Sequence, residues 1–103
     1  MIEWIKDHNH LVRVQGEHKD FLALVFYANF SPNAKRALAE IENFSKENKD
    51  MPVYVIDVER VKGIHKRFGV ENVPTVLALK DDKVVRKIEG VESALFYARI
   101  LSG

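Results

Sequence analysis

The run FLALVFYA, residues 21–28, is apolar at every position. A half-exposed strand alternates polar and apolar side chains, so an unbroken run of this length predicts a strand covered on both faces. Such a strand needs helices above and below it, which points the chain toward a layered α/β architecture. The residues that follow supply the first helix. Ser31 precedes Pro32; a serine oxygen accepts an orphan backbone N–H at a helix start, and proline fits the first helical position. Ala34, Ala37, Leu38, Ile41 and Phe44 then recur at steps of three and four, predicting a helix to about Lys49 with Lys35, Arg36, Glu40 and Glu47 on its wet side.

The rest of the chain continues the alternation. PVYVIDV (52–58) is a second buried strand, and Val61, Ile64 and Phe68 form a short helical stripe ended by Gly69. TVLALK and KVVRKIE flank the acidic pair Asp81-Asp82 and predict an antiparallel hairpin. A last helix is expected from about Glu92, with Leu95, Ala98 and Leu101 inward and Phe96 and Ile100 beside them. At the other end, the first ten residues suggest a short amphipathic helix with Met1, Ile2 and Ile5 inward, and LVRV (11–14) a brief strand. Together these elements predict a single α/β domain, residues 1–103, with a mixed sheet of four or five strands and helices on both faces.

Composition narrows the function classes. A chain of 103 residues buries more than about 60% of its unfolded surface and can fold without metals or disulfides. Lys+Arg number 16 against Asp+Glu 15, a formal net charge of +1, so no global field favours a polyanion and nucleic acid is not an expected partner. No stretch approaches the length of an apolar membrane span. The N-terminus carries Glu3, Lys6 and Asp7 without a continuous apolar segment, which argues against a secretory leader and makes the cytoplasm the expected location. There is no cysteine, hence no disulfide, thiolate metal site or thiol nucleophile in this chain.

The element order, with three local signatures, resembles the thioredoxin family over residues 11–103. LVFYANFSPNAK is similar to the family's strand, active-site loop and helix, where an aromatic-Ala pair precedes Trp-Cys-x-x-Cys-Lys. Aligned on Tyr27-Ala28 and Lys35, Phe30 stands for the tryptophan, Ser31 and Ala34 for the two cysteines, and Pro32-Asn33 for the residues between them. NVPTVLALK is similar to the family loop that carries a cis-proline beside the active site, with Pro74 in that place. Gly90, 16 residues beyond Pro74, stands where the family has the glycine that closes its substrate groove. The resemblance implies the thioredoxin fold. It also implies that Val25 and Val53 occupy the positions where family members often carry a buried aspartate and lysine that manage the proton of the buried cysteine.

Disulfide exchange requires a thiolate to attack and a second thiol to resolve the mixed disulfide. Ser31 has no comparable acidity and Ala34 offers no resolving group, so the lost motif has no catalytic residue to contribute. The leading expectation is a redox-inactive thioredoxin-like module that captures a protein or extended peptide, with Phe30, Ser31, Pro32, Asn33, Val73, Pro74 and Gly90 as binding residues. In it, the Val73 backbone pairs with the bound segment over a floor of Phe30 and Pro32. The alternative is a thioredoxin-type oxidoreductase whose two active-site cysteines were replaced by engineering. A third is glutathione binding through Ser31, implied by a resemblance to glutathione transferases, which use a tip serine in their thioredoxin-like domain and a Glu-Ser pair similar to Glu92-Ser93 in VESALFYARIL. No cofactor, metal or membrane partner is expected, and a monomer or a weak homodimer both fit. His8, His10 and His18 lack a zinc-ligand pattern and are expected on a solvated turn. Asp57 is expected to cap the helix after its strand, and Trp4 to sit in a small N-terminal cluster.

Overall fold

The computed structural model describes residues 2–102. The chain runs β1 (Ile2–Trp4), α1 (His8–Glu17), β2 (Leu22–Tyr27), α2 (Pro32–Glu47), β3 (Val53–Asp57), α3 (Ile64–Arg67), β4 (Thr75–Lys80), β5 (Lys83–Glu89) and α4 (Ala94–Leu101). The five strands form one mixed sheet in the order β1-β3-β2-β4-β5. β1 and β2 both run parallel to β3, while β4 and β5 are antiparallel to their neighbours.

Every residue of β2 and β3 is buried, as the unbroken apolar runs require. Alternate side chains of β2 face opposite layers. Leu22, Leu24 and Phe26 join Leu11 and Val14 of α1 and Ile64 of α3, whereas Ala23, Val25 and Tyr27 join Ile41 and Phe44 of α2 and Tyr97 of α4. Val25 and Val53 lie in the same apolar cluster beneath α2. The hairpin between β4 and β5 turns at Asp81 and Asp82, both at positive φ (54° and 66°), the backbone a two-residue hairpin loop demands. Val85 has no partner in the register and bulges the edge strand between Val84 and Arg86.

Three expectations are corrected at the ends of the chain. Residues 2–4 are a strand and not part of an amphipathic helix, because they add to β3 with Ile2 opposite Val53 and Trp4 opposite Val55; Ile5 is inward as expected, and Met1 lies outside the described residues. LVRV is helical. Its Leu11 and Val14 are the buried pair of α1, Val12 is exposed, and Asp7 starts the helix by accepting the His10 N–H at 2.7 Å. In α4 the buried residues are Tyr97 and Leu101, while Leu95, expected inward, is 69% exposed. Ser93 accepts the Phe96 N–H at 3.1 Å, so α4 begins at Ala94, a turn that rotates Tyr97 onto the sheet.

Two buried tyrosines give the fold a pH signature. Burial, reinforced by the Glu3 carboxylate that accepts the Tyr54 hydroxyl at 3.2 Å, raises the Tyr54 phenol above its ordinary value, and burial raises Tyr97 likewise. The native state then holds protons that the unfolded chain releases near pH 10. This contribution to stability is complete below about pH 10 and is lost as pH rises through the native values. Phenolate absorbance should show two tyrosines titrating late, and the denaturant midpoint should fall above about pH 10. Titration of Tyr54 and Tyr97 at the free value would contradict this.

Candidate functional site

β2 delivers the chain to a tip at Asn29–Ser31, and α2 carries it away. The Ser31 Oγ accepts the Ala34 N–H at 3.0 Å, and Pro32 occupies the first turn. Capping is thus the observed work of Ser31. Phe30, 70% exposed, projects from the tip. Tyr27 donates its hydroxyl to Asn29 Oδ1 at 2.7 Å, and the Trp4 ring meets Tyr27 edge-on at 5.5 Å between centroids. Trp4 therefore belongs to this end of the sheet, which its place near the N-terminus does not reveal.

β4 returns beside the tip. Phe26 pairs with Thr75, so the two residues before Thr75 lie next to the end of β2. The Val73–Pro74 bond is cis. Thr75 Oγ1 donates to the Asn72 carbonyl at 2.7 Å, and the Gly90 N–H donates to the Pro74 carbonyl at 3.0 Å. Gly90 has φ +85°, with nothing within 4 Å of where a Cβ would stand, so its glycine is required by backbone conformation and not by a close neighbour. Among the described residues, no backbone hydrogen bond engages the N–H or C=O of Val73, and the β4 ladder begins at Thr75.

A cavity of about 140 Å³ lies between tip and loop, lined by Phe30, Val58, His65, Val70, Glu71, Asn72 and Val73. Of the residues singled out in the sequence, it brings Phe30 and Val73 together. Pro32 and Asn33 are exposed on the first turn of α2 and do not line it. Phe30 lines this cavity with Val58 and Val70, and Pro32 lies outside it. Val58, His65, Val70, Glu71 and Asn72 are lining residues that the sequence did not single out. Ile64 is buried in the core and Phe68 packs against it; His65, one residue after Ile64 and three before Phe68, falls on the flank of that stripe.

The other candidates take structural places. Asp57 Oδ1 accepts the Glu59 N–H at 3.0 Å, but α3 starts only at Ile64, so Asp57 caps a turn and not the helix. His8 and His10 are the first turn of α1, and His18 is its C-terminal cap. His8 Nε2 meets the Lys62 carbonyl at 2.6 Å, and His10 Nδ1 accepts the Lys6 N–H at 2.9 Å. All three are thus tied to a helix and do not sit on a solvated turn. Ser93 serves the start of α4, which is the local job of the Glu92-Ser93 pair.

The thioredoxin family model matches residues 2–100. The chain belongs to the thioredoxin family. Thioredoxin-1 of Saccharomyces cerevisiae is 31% identical to it over 77 residues, covering 74% of this chain and 75% of the yeast protein. A thioredoxin H-type of Brassica campestris is 21% identical over 97 residues, covering 94% of this chain and 79% of its own. The solved thioredoxin of Nicotiana alata is similar in structure, with a TM-score of 0.87 at 22% identity over 98% of this chain and 90% of that one. That of Malassezia sympodialis gives 0.86 at 18% identity over 99% and 90%. The fold expected from the sequence is thus shown. This thioredoxin-family chain departs from the Cys-x-x-Cys pattern in having no cysteine at all.

Two substitutions separate the backbone roles at this site. Ser31→Ala removes the α2 cap and should cost about 1 kcal/mol, and Gly90→Ala should cost about 1–2 kcal/mol for a side chain at positive φ. Urea unfolding measures both. A Gly90→Ala protein as stable as the parent would contradict the conformational role given to Gly90.

Proposed function

We propose that this chain is a redox-inactive member of the thioredoxin family that binds an extended protein or peptide segment in the groove beside Pro74. The observation that carries the proposal is that the N–H and C=O of Val73, at the rim of a largely apolar cavity, have no backbone partner among the described residues. An unpaired main-chain donor and acceptor beside the start of a strand is what strand addition uses: main-chain hydrogen bonds supply affinity and neighbouring pockets read the side chains. Phe30, largely exposed at the tip, supplies apolar contact area to the incoming segment. The helix start at Ser31, where a family thiol would be activated, holds a hydroxyl committed to its cap, and Ala34 is buried and apolar. Val25 and Val53 add no proton-handling pair beneath it. A tip in this state has the geometry for recognition and lacks the atoms for thiol exchange.

Purified protein should not accelerate insulin reduction by dithiothreitol; acceleration would overturn the redox-inactive assignment. For binding, a displayed library of random decapeptides panned on the protein should yield sequences that bind in the groove. Phe30→Ala should weaken those peptides about ten-fold while changing stability by no more than about 0.5 kcal/mol, because the ring is exposed. Unchanged affinity in Phe30→Ala would overturn the assignment to this groove.

A further inference from the structure

The two ring nitrogens of His65 stand in different surroundings. Nδ1 is buried and has no hydrogen-bond partner. Nε2 is neither hydrogen-bonded nor among the buried, unpartnered polar atoms of the described residues, so it keeps solvent contact. Nε2 is thus the ring nitrogen left to meet a ligand, and the ring proton is assigned to it because an N–H there has solvent or a ligand to donate to while Nδ1 has no acceptor. We propose that His65 is the specificity-determining residue of the groove, its Nε2–H donating to a carboxamide side chain, glutamine foremost, on the bound segment.

The inference rests on the groove reading above and names what that groove selects. Four of the seven lining residues, Phe30, Val58, Val70 and Val73, are apolar, and a cavity of about 140 Å³ holds one side chain of medium size with an apolar stem. The head must accept a hydrogen bond from Nε2. Lysine and arginine heads only donate. A carboxylate accepts but meets Glu71, which lines the same cavity, and an aliphatic side chain leaves the donor dry, a loss that discriminates against it. A carboxamide satisfies the donor, brings no charge toward Glu71, and extends its methylenes along the valines. Val73, which lines the same cavity, offers its backbone to the same segment, so one side chain entering beside it is fixed in register by the strand pairing.

The probes are the decapeptides enriched in the library, each synthesised with glutamine or leucine at the position that their alignment shows to be fixed. On the parent protein the glutamine form should bind about five-fold tighter than the leucine form. In His65→Ala that ratio should fall to about one, and in His65→Gln, which keeps a donor, it should return. Each ratio compares two peptides on one protein, so partial loss of folding in a variant cancels. A glutamine preference that survives His65→Ala overturns the inference, as does enrichment of aliphatic or charged residues at the fixed position. Those results leave the groove standing. Failure to enrich any peptide sensitive to Phe30→Ala would instead remove the groove reading and this inference together.

Discussion

The antiparallel pairing of β2 with β4 is the constraint on which the site depends. Five residue pairs, from Leu22 opposite Leu79 to Phe26 opposite Thr75, fix the register, and burial on both faces prevents a slip, since moving one residue would exchange the two core clusters. Because the strands run in opposite directions, the end of β2 meets the beginning of β4. Tip and loop are therefore neighbours in space although more than forty residues separate Phe30 from Val73. The pairing stops at Thr75, and the backbone just beyond it is left without a sheet partner.

That arrangement explains how a thioredoxin-family chain can keep its site while holding no thiol. What a helix start requires is a side-chain acceptor for an orphan N–H and a favourable first residue, and Ser31 and Pro32 supply both. What redox chemistry requires, a pair of thiols above a proton-handling pair, is replaced by Ser31, Ala34, Val25 and Val53. Three of these four, Ala34, Val25 and Val53, are buried and packed in the cluster between the sheet and α2. A charge at position 25 or 53 would have to be desolvated there, so valine at both favours packing of this layer. The tip holds no thiol, and the packing beneath it is intact.

The parts of this fold that were legible in the sequence are those whose pattern is long or chemically marked. β2 and β3 are read from unbroken apolar runs, α2 from five stripe positions and a Ser-Pro start, the hairpin from Asp81-Asp82. β1 was illegible because three residues cannot display a period, and its strand form comes from the edge that β3 offers at Val53–Val55. LVRV fits either period over four residues. The deciding signal was Asp7, four positions upstream of Leu11, acting as a cap. In α4 the stripe of Leu95, Ala98 and Leu101 was a plausible face, yet the Ser93 cap sets the rotation that buries Tyr97. At the site, Phe30 and Val73 were legible through family resemblance, whereas His65 was not, because only the fold of α3 against β2 brings it to the cavity.

The central claim is that Val73 offers its backbone to a strand-like partner. Amide hydrogen exchange at Val73, measured without and with a saturating groove-binding decapeptide, tests this directly. The account predicts fast exchange in the free protein, where the N–H has no partner, and exchange slowed by about ten-fold or more on binding, as a newly formed main-chain hydrogen bond protects it. Exchange at Val73 that is unchanged by a peptide bound to saturation would contradict it.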